Sequence, residues 1–297
     1  MSAGANTADQ WACSWVAPGA RGPVLRFEAT FSIPLGSEAG SDASGEAWWQ
    51  RRLQLVRGIG PQRARRLRDR GFDRLPDLLL HPVYAARAQA VLGWIASRDV
   101  PSLRRCGARD GELSRLFEPC EVAVFDIETL GLAPVFPVIL AGFAWREAGN
   151  WRVVQLLAPH FDDEPSLLVG MDQVASRFAA LVTYNGRAFD LPYVRMRRAY
   201  HGLAGENPWP AAFCLDLLGE ARRRLRPAAG SARLRAVEAL LFGEARTDDI
   251  PAEAIPEYYH RFVQTGDPAW AQPIVAHNRN DLRAIAAVWQ AAGMGAQ

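Results

Sequence analysis

The stretch EVAVFDIETLGL, residues 121–132, governs the interpretation of the whole chain. Its first part, EVAVFDI, is a short apolar run of the kind that forms a buried strand. Side chains two apart on a strand face the same side, so Asp126 and Glu128 are expected to project together at its carboxyl end. Two carboxylates held together are costly unless a positive charge lies between them, which favours a divalent metal ion. A solvated acidic pair at a strand end is the alternative.

The segments around this strand alternate between helical and extended patterns. Helical periodicity covers residues 46–100, before the strand. After it, the sequence predicts strands at 135–145, 150–157, 181–184 and 212–215, and helices at about 164–180, 191–200, 217–226, 231–242, 253–265 and 270–292. Three strands in a meander, followed by strands that alternate with helices, predict an α/β fold with a mixed sheet flanked by helices.

Two later segments carry further acidic candidates. Asp190 follows a Tyr-Asn-Gly turn and stands at the start of a predicted helix, where an N-cap carboxylate is the alternative interpretation. His277 and Asp281 are four residues apart on the last predicted helix and therefore share one face. A surface pair, or an Asp281 that faces a nearby Arg, is the alternative there.

Taken in order, these residues suggest one site rather than three unrelated features. Four carboxylates can hold two divalent ions, and two such ions about 4 Å apart can activate a water and stabilise the leaving oxygen of a phosphodiester. A histidine beside them could accept the proton of that water. The pattern therefore indicates phosphodiester hydrolysis.

At these residues the sequence resembles the DEDD exonucleases of the ribonuclease H-like superfamily. It is more closely similar to the YprB-type ribonuclease H-like exonuclease domain found in bacteria and archaea. The resemblance covers about residues 121–292. It rests on five ordered blocks, which are FDIETLGL (125–132), VTYNGRAFDLPYVRMR (182–197), CLDLL (214–218), DDIPAEAIPEYYHRFVQTGD (248–267) and HNRNDLRAI (277–285).

The resemblance implies a fold, a cofactor and an activity. The fold is a ribonuclease H-like, five-stranded mixed sheet with helices on both faces. The activity is 3′-to-5′ exonucleolytic hydrolysis of a nucleic-acid end, dependent on two Mg²⁺ or Mn²⁺ ions. Its metal-binding carboxylates would be Asp126, Glu128, Asp190 and Asp281.

The position of the histidine departs from the family pattern. The His branch of these exonucleases usually has four residues between His and the last Asp, whereas the Tyr branch has three. His277 stands at the Tyr-branch spacing from Asp281. Its role as the general base and a positioning or purely helical role both stay open. Asp216, in the CLDLL block, is interpreted as the cap of the following helix.

A second motif lies in the Arg-rich segment 51–74, which holds nine Arg and two Asp, a net charge of +7. Its core, VRGIGPQRARRL, resembles a helix-hairpin-helix motif. Such motifs bind the nucleic-acid backbone without reading sequence. The resemblance makes the amides of Gly58, Ile59 and Gly60 phosphate-facing, with Arg57 and Arg63 as supports. A helical hairpin with a solvated Arg face is the alternative.

Composition narrows the class of protein. The chain has 297 residues, 49% of them hydrophobic, and a net charge of only +2. Its longest apolar run, about 135–145, is far shorter than the ~18 residues that a membrane span needs. Because the four cysteines lack metal or redox spacing, we expect a reduced, cytoplasmic protein without a membrane partner.

Four segments are expected along the chain. They are a flexible N-terminal tail with a possible strand (1–45), a helix-hairpin-helix nucleic-acid-binding region (46–100), a linker (101–120) and the ribonuclease H-like exonuclease domain (121–295). The expected partner is DNA or RNA with a single-stranded end, and Asn185 is a further candidate contact. An endonuclease of the same superfamily and a nucleic-acid-binding module with a lapsed active site are the alternatives.

Overall fold

The computed structural model describes residues 10–15, 22–33, 45–203 and 213–291. The chain divides into two compact units. Among the described residues, one unit comprises those up to residue 33 and those from Pro119 onward, and the other comprises residues 45–118.

The larger unit is built on one seven-stranded sheet. The strands are β1 (Gln10–Trp15), β2 (Val24–Phe31), β3 (Val122–Thr129), β4 (Val138–Glu147), β5 (Asn150–Leu157), β6 (Ala180–Thr183) and β7 (Phe213–Asp216). They lie in the order β1-β2-β5-β4-β3-β6-β7. The β3–β6 and β6–β7 pairs are parallel and the others are antiparallel, so the predicted mixed sheet is confirmed.

Helices surround this sheet and form the smaller unit. The α-helices are, in chain order, α1 (Gly45–Gln50), α2 (Pro61–Arg68), α3 (Ala85–Ala96), α4 (Val100–Arg105), α5 (Asp110–Leu113), α6 (Glu164–Ala175), α7 (Asp190–Tyr200), α8 (Leu218–Glu220), α9 (Arg226–Ala229), α10 (Leu234–Phe242), α11 (Ile255–Thr265) and α12 (Pro268–Ala291). A π-helical stretch, Ala221–Leu225, joins α8 to α9. Short 3₁₀ turns are Leu53–Leu55, Pro76–Leu80, Ser114–Leu116, Pro119–Glu121, Phe161–Asp163 and Ala252–Ala254.

The two faces of the sheet have separate apolar cores. On one face, odd-numbered residues of β3 such as Phe125 and Ile127 pack with Leu167 of α6 and Val194 of α7. On the other face, residues of β4 and β5 pack with α11 and α12, for example Leu140 with Ile274. Because side chains alternate along a strand, Asp126 and Glu128 point to the face that α12 covers.

Two expectations about the chain's organisation are wrong. The sheet has seven strands rather than five, because β1 and β2 extend it beyond β5. The possible strand expected in the N-terminal tail is present as β2, which pairs with β1, and residues 1–9, 16–21 and 34–44 lie outside the described residues. The predicted linker, 101–120, contains most of α4 together with α5, so it is largely folded within the smaller unit.

The smaller unit contains the Arg-rich segment. Its turn places Gly58 at φ +95°, a conformation that favours glycine, and Gly60 precedes Pro61 at the first position of α2. A 3₁₀ turn, Leu53–Leu55, stands where the sequence predicts the first helix of the hairpin. Among the described residues of the whole chain, helices with the length and hydropathy of a membrane span are absent.

Candidate active site

Strand β3 carries the first two acids of the site. Asp126 and Glu128 project together toward α12, and Glu128 is buried with 8% of its surface exposed. Apolar residues make most of β3 a central buried strand, so its carboxyl end lies deep in the fold. Asp126 is paired across the sheet with Gly142 of β4. The structure therefore places two like charges side by side in a poorly hydrated region.

Asp190 joins this pair from the start of α7. Its Oδ1 accepts a hydrogen bond of 3.3 Å from the backbone amide of Ile127, the residue between Asp126 and Glu128. The side chain is buried, with 4% exposure. The first residue of α7 is thus attached directly to the acidic end of β3.

Asp216 holds the turn that leads to Asp190. Its carboxylate accepts hydrogen bonds from the backbone amides of Asn185 (2.9 Å) and Arg187 (3.2 Å). It also accepts a hydrogen bond of 3.0 Å from the amide of Leu218, the first residue of α8, although the N-cap position of that helix is Leu217. Asn185 has a positive φ of 68° and an exposed side chain. Its proposed contact with nucleic acid stays a prediction.

Helix α12 completes the cluster. His277 and Asp281 lie one turn apart, with His277 Nε2 3.7 Å from Asp281 Oδ2. Ligand atoms of Glu128, His277 and Asp281 lie within 4.8 Å of one another. The helix begins at Pro268 and crosses the sheet beside β3 and β4, so residues distant in sequence meet here.

Burial and mutual repulsion perturb these acids strongly. Burial raises the pKa of Asp126 well above its ordinary value, and the carboxylates of Asp190, Glu128 and Asp281 raise it further. Burial and the charge of Asp281 likewise raise the pKa of Glu128. For Asp190, burial is the largest cause, and its pKa rises to about 7. Burial and like charge thus both oppose ionisation of these three acids in the metal-free protein.

Arg246 places a positive charge beside Asp281, on one side of the acidic cluster. Its guanidinium lies 2.7 Å from Asp281 Oδ1 and 2.9 Å from Asp249 Oδ2, and it also pairs with Glu238 of α10. Asp249 in turn contacts His277, whose Nδ1 lies 2.9 Å from Asp249 Oδ1. Four buried or half-buried charged groups therefore link α10, the segment before α11, and α12.

The residues present fit a hard divalent cation. Carboxylate oxygens are the ligands that Mg²⁺ and Mn²⁺ prefer, and Glu128 and Asp281 offer them within 4.8 Å of each other. Asp126 and Asp190 lie close enough for their charges to interact with this pair. Burial, together with the charges of neighbouring acids, raises the pKa values of these carboxyls, and a bound cation would favour their ionised forms. His277 adds one nitrogen to the same cluster.

Sequence reasoning missed three side chains of this site. Asn278, Asp249 and Arg246 all contact predicted site residues. Asp249 precedes Ile250-Pro251, a sequence that suggests only a turn, and the structure pairs its carboxylate with His277. Asn278 stands inside the HNRND block, between the predicted site residues His277 and Asp281, and this position was a usable signal. Arg246 stands in a segment without a recognisable pattern.

In the smaller unit, the predicted phosphate contacts surround one cleft. Its volume is about 460 Å³, and residues 54–60 line it with Arg105 and Cys106. The guanidinium of Arg63 donates to the carbonyl of Gly58 at 2.7 Å, so it supports the turn. The amide of Ile59 donates to the carbonyl of Val56 at 3.0 Å. This amide is therefore occupied within the turn, and the expected phosphate contact through it is corrected. Gly58 and Gly60 remain candidate phosphate contacts, and Arg57 is exposed beside them.

Sheet order and site together define an α/β protein with a buried acidic centre at the end of its central strand. Comparison with known proteins gives the family. The RNase_H superfamily profile RNase_H_2 matches residues 123–292, more than half of the chain. Over 169 residues, the chain is 30% identical to the uncharacterized protein YprB of Bacillus subtilis strain 168, covering 56% of this chain and 40% of YprB.

The chain therefore belongs to the RNase_H superfamily, and its predicted resemblance to YprB is confirmed. Among solved structures, it is similar to the family B DNA polymerase of the hyperthermophilic archaeon Pyrobaculum calidifontis. The identity is 20% and the TM-score 0.46, over 57% of this chain and 24% of the polymerase chain. The chain thus spans well under half the length of both relatives. Family membership supports a nucleic-acid-processing nuclease.

Proposed function

We propose that this protein is a metal-dependent nuclease that hydrolyses phosphodiester bonds as a 3′-to-5′ exonuclease on the ends of DNA or RNA. The observation that carries the proposal is the convergence of Asp126, Glu128, Asp190 and Asp281 with His277 beside a single strand end. Membership of the RNase_H superfamily supports it independently. The 3′-to-5′ direction comes from the resemblance to DEDD exonucleases.

The four carboxylates would hold two Mg²⁺ or Mn²⁺ ions. When bound, such ions stabilise the charge that develops on the attacking and leaving oxygens of a phosphodiester. The chain's own contribution is to keep four negative ligands together. It does so by attaching Asp190 to the amide of Ile127 and by anchoring the turn before Asp190 through Asp216. A bound cation would favour the ionised carboxylates, which burial and neighbouring charges otherwise oppose.

His277 would remove the proton of the attacking water at Nε2. Its Nδ1 lies 3.0 Å from the carbonyl oxygen of Ile250, an atom that can only accept, so Nδ1 carries the hydrogen. In the neutral ring, Nε2 then has the free lone pair and lies on the side of Asp281. A tautomer fixed in this way suits a general base.

The smaller unit would hold the strand by its phosphates. Gly58 and Gly60 line the cleft, α2 begins at the next residue, and exposed arginines including Arg57 surround the turn. Amides at a helix start and a dense positive charge both favour phosphate oxygens. Asn185 is a further proposed contact, since its exposed side chain lies in the turn before Asp190.

An end-labelled substrate tests the proposal. Single-stranded DNA, duplex DNA and RNA, each labelled at the 5′ end in one sample and at the 3′ end in another, are incubated with the protein and Mn²⁺ or Mg²⁺. A 3′-to-5′ exonuclease shortens the 5′-labelled strand stepwise and releases single nucleotides from the 3′-labelled one. Comparison of the substrates shows which nucleic acid is preferred.

Other outcomes identify the alternatives. Internal fragments at early times indicate an endonuclease of the same superfamily. Binding without any product, with either metal, indicates a nucleic-acid-binding module that has lost catalysis, and it contradicts the proposed activity.

A further inference from the structure

A buried amide lies directly against the first acid of β3. Asn278 of α12 is fully buried, and its Nδ2 donates a hydrogen bond of 2.9 Å to Asp126 Oδ2. A neutral donor from α12 thus contacts the Asp-x-Glu pair at Asp126.

A second amide fixes the orientation of the first. Nε2 of Gln155 lies 2.8 Å from the backbone oxygen of Val275 and 2.9 Å from Asn278 Oδ1. The backbone oxygen can only accept, so the Gln155 atom that faces it must be the nitrogen. The atom of Asn278 that receives its other hydrogen must then be the oxygen. Nδ2 of Asn278 is consequently held toward the carboxylates, and a flipped amide would face them with its oxygen.

The sheet is shaped to admit this arrangement. Asp126, Gly142 and Gln155 are direct cross-strand neighbours on β3, β4 and β5. A Cβ atom at Gly142 would lie 2.0 Å from Asn278 Oδ1 and 2.7 Å from Leu282 Cδ1. Because Gly142 of β4 has no side chain, Asn278 has space to contact both Gln155 of β5 and Asp126 of β3.

We infer that Asn278 is a positioning residue for the metal-binding Asp126, and that Gln155 acts through it by fixing its amide. The two amides form an oriented relay from β5 to β3. The relay keeps the carboxylate of Asp126 aligned for a divalent cation before the cation arrives. The inference rests on the proposed metal-dependent function.

The test measures Mn²⁺ binding by calorimetry on the full chain, without substrate. The variants are Asn278→Leu, Gln155→Leu and the double variant. Leucine is close in size to both side chains and removes their hydrogen bonding. Ser166→Ala is the matched control. Ser166 is a buried residue of α6, and its hydroxyl accepts a hydrogen bond from the backbone amide of Gly22.

Loss of supporting contacts around metal ligands typically weakens metal affinity about 10–100-fold. We expect Asn278→Leu to weaken Mn²⁺ binding by about that factor, and Gln155→Leu by less. The double variant should match Asn278→Leu, because Gln155 acts only through Asn278. In nuclease assays, excess Mn²⁺ should restore most of the kcat that Asn278→Leu loses. Ser166→Ala should bind Mn²⁺ like the wild type.

Unchanged Mn²⁺ affinity in a folded Asn278→Leu protein would overturn the inference, and so would losses that multiply in the double variant. A purely structural role would lower the melting temperature without changing the affinity, which also overturns it. If Asn278→Leu does not fold, Gln155→Leu alone must weaken Mn²⁺ binding. A wild-type protein that binds no Mn²⁺ would instead contradict the proposed function itself, so the two failures are distinguishable.

Discussion

Nδ1 of His277 lies 2.9 Å from Asp249 Oδ1 and 3.0 Å from the backbone oxygen of Ile250. Both atoms accept a hydrogen, so the ring is held with its other nitrogen toward Asp281 and Glu128. The Tyr-branch spacing of the sequence does not prevent this geometry, because a helix places residues four apart on one face. This orientation of the ring is the one that the proposed role of His277 in proton transfer requires.

Replacement of His277 tests that role. We expect His277→Ala to lose roughly 10²–10⁴-fold in kcat, the span typical of general-base removal. His277→Gln should not restore the rate, because its amide cannot take a proton. Single-turnover rates with a labelled strand and saturating Mn²⁺ measure the effect.

Asp249→Asn provides the companion measurement. It keeps the shape of the side chain and removes the charge that orients His277, so an intermediate loss of about 10–100-fold is expected. Combined with His277→Ala, it should cause little further loss. Near wild-type rates in His277→Ala would assign the residue to helix packing.

Arg246 is predicted to matter mainly for stability. Its guanidinium is buried, with 8% of the side chain exposed, and it contacts Glu238, Asp249 and Asp281. Removing one partner of a buried ionic group leaves uncompensated charge and typically costs about 3–5 kcal/mol. We expect Arg246→Leu to lower the free energy of unfolding in urea by about that amount.

Arg261→Leu is the matched control for this measurement. Arg261 pairs with Glu257 on the exposed side of α11 at 3.3 Å, and more than half of each side chain is exposed. Exposed pairs contribute about 0–1 kcal/mol, so the control should change stability little. Equal losses of unfolding free energy in Arg246→Leu and Arg261→Leu would show that the buried ion pairs stabilise the fold no more than an exposed pair.

The raised pKa of Asp190 predicts how stability varies with pH in the absence of metal. Folding raises this pKa from 3.8 to about 7, chiefly through burial. Between these values the folded state binds a proton that the unfolded chain has released, so stability falls as the pH rises through this range. The loss is complete above pH 7, where the buried carboxylate must ionise.

Melting temperatures in EDTA at pH 5.5 and pH 8 test this sign. From pH 5.5 to pH 8, the melting temperature of the wild type should fall more than that of Asp190→Asn, because the asparagine cannot ionise. At pH 8, Asp190→Asn should melt at least about 3 °C higher than the wild type. Mn²⁺ should raise the wild-type melting temperature most at pH 8. An Asp190→Asn protein that melts lower than the wild type at pH 8 would refute the electrostatic account of the cluster.

The turn of the smaller unit is predicted to anchor nucleic acid. Gly60 has room for a side chain, because beyond its chain neighbours the described residues place no heavy atom within 4 Å of a Cβ there. We expect Gly60→Val to weaken binding of long strands while very short strands are degraded normally. The wild type should also bind less tightly as salt rises, with a steeper slope than the variant.

Gly93→Val is the control, since Gly93 lies in α3 of the same unit and also has open space around it. Fluorescence anisotropy at several salt concentrations compares the three proteins. If Gly60→Val stays folded and binds long strands like the wild type, the segment is only structural.

The sequence was sufficient to predict the features that depend on the regular spacing of residues within one strand or one helix. Alternation along β3 placed Asp126 and Glu128 on one side, and helical spacing placed His277 and Asp281 on one face. The order of strands and helices after residue 121 likewise predicted the mixed sheet. Each of these inferences depends only on residues close in sequence.

The rest of the site depends on contacts that no local pattern encodes. Gln155 and Asn278 meet across 123 positions, and His277 meets Asp249 across 28. The pairing of β2 with β5 joins residues more than 100 positions apart, so the sequence indicated a possible strand in the N-terminal tail but not that it extends the sheet. Such contacts are set by the packing of α12 on the sheet, which single-residue propensities do not describe.

The most direct test of the account is the rate of phosphodiester hydrolysis by the wild type and by Asp126→Asn at matched Mn²⁺ concentrations. The variant removes one negative ligand and keeps the shape of the side chain. We predict at least a ~100-fold loss of rate in the variant, and no hydrolysis by the wild type in excess EDTA, because metal charge stabilisation is worth several kcal/mol. A nearly full rate in folded Asp126→Asn, or in EDTA, would contradict a catalytic metal held by these carboxylates.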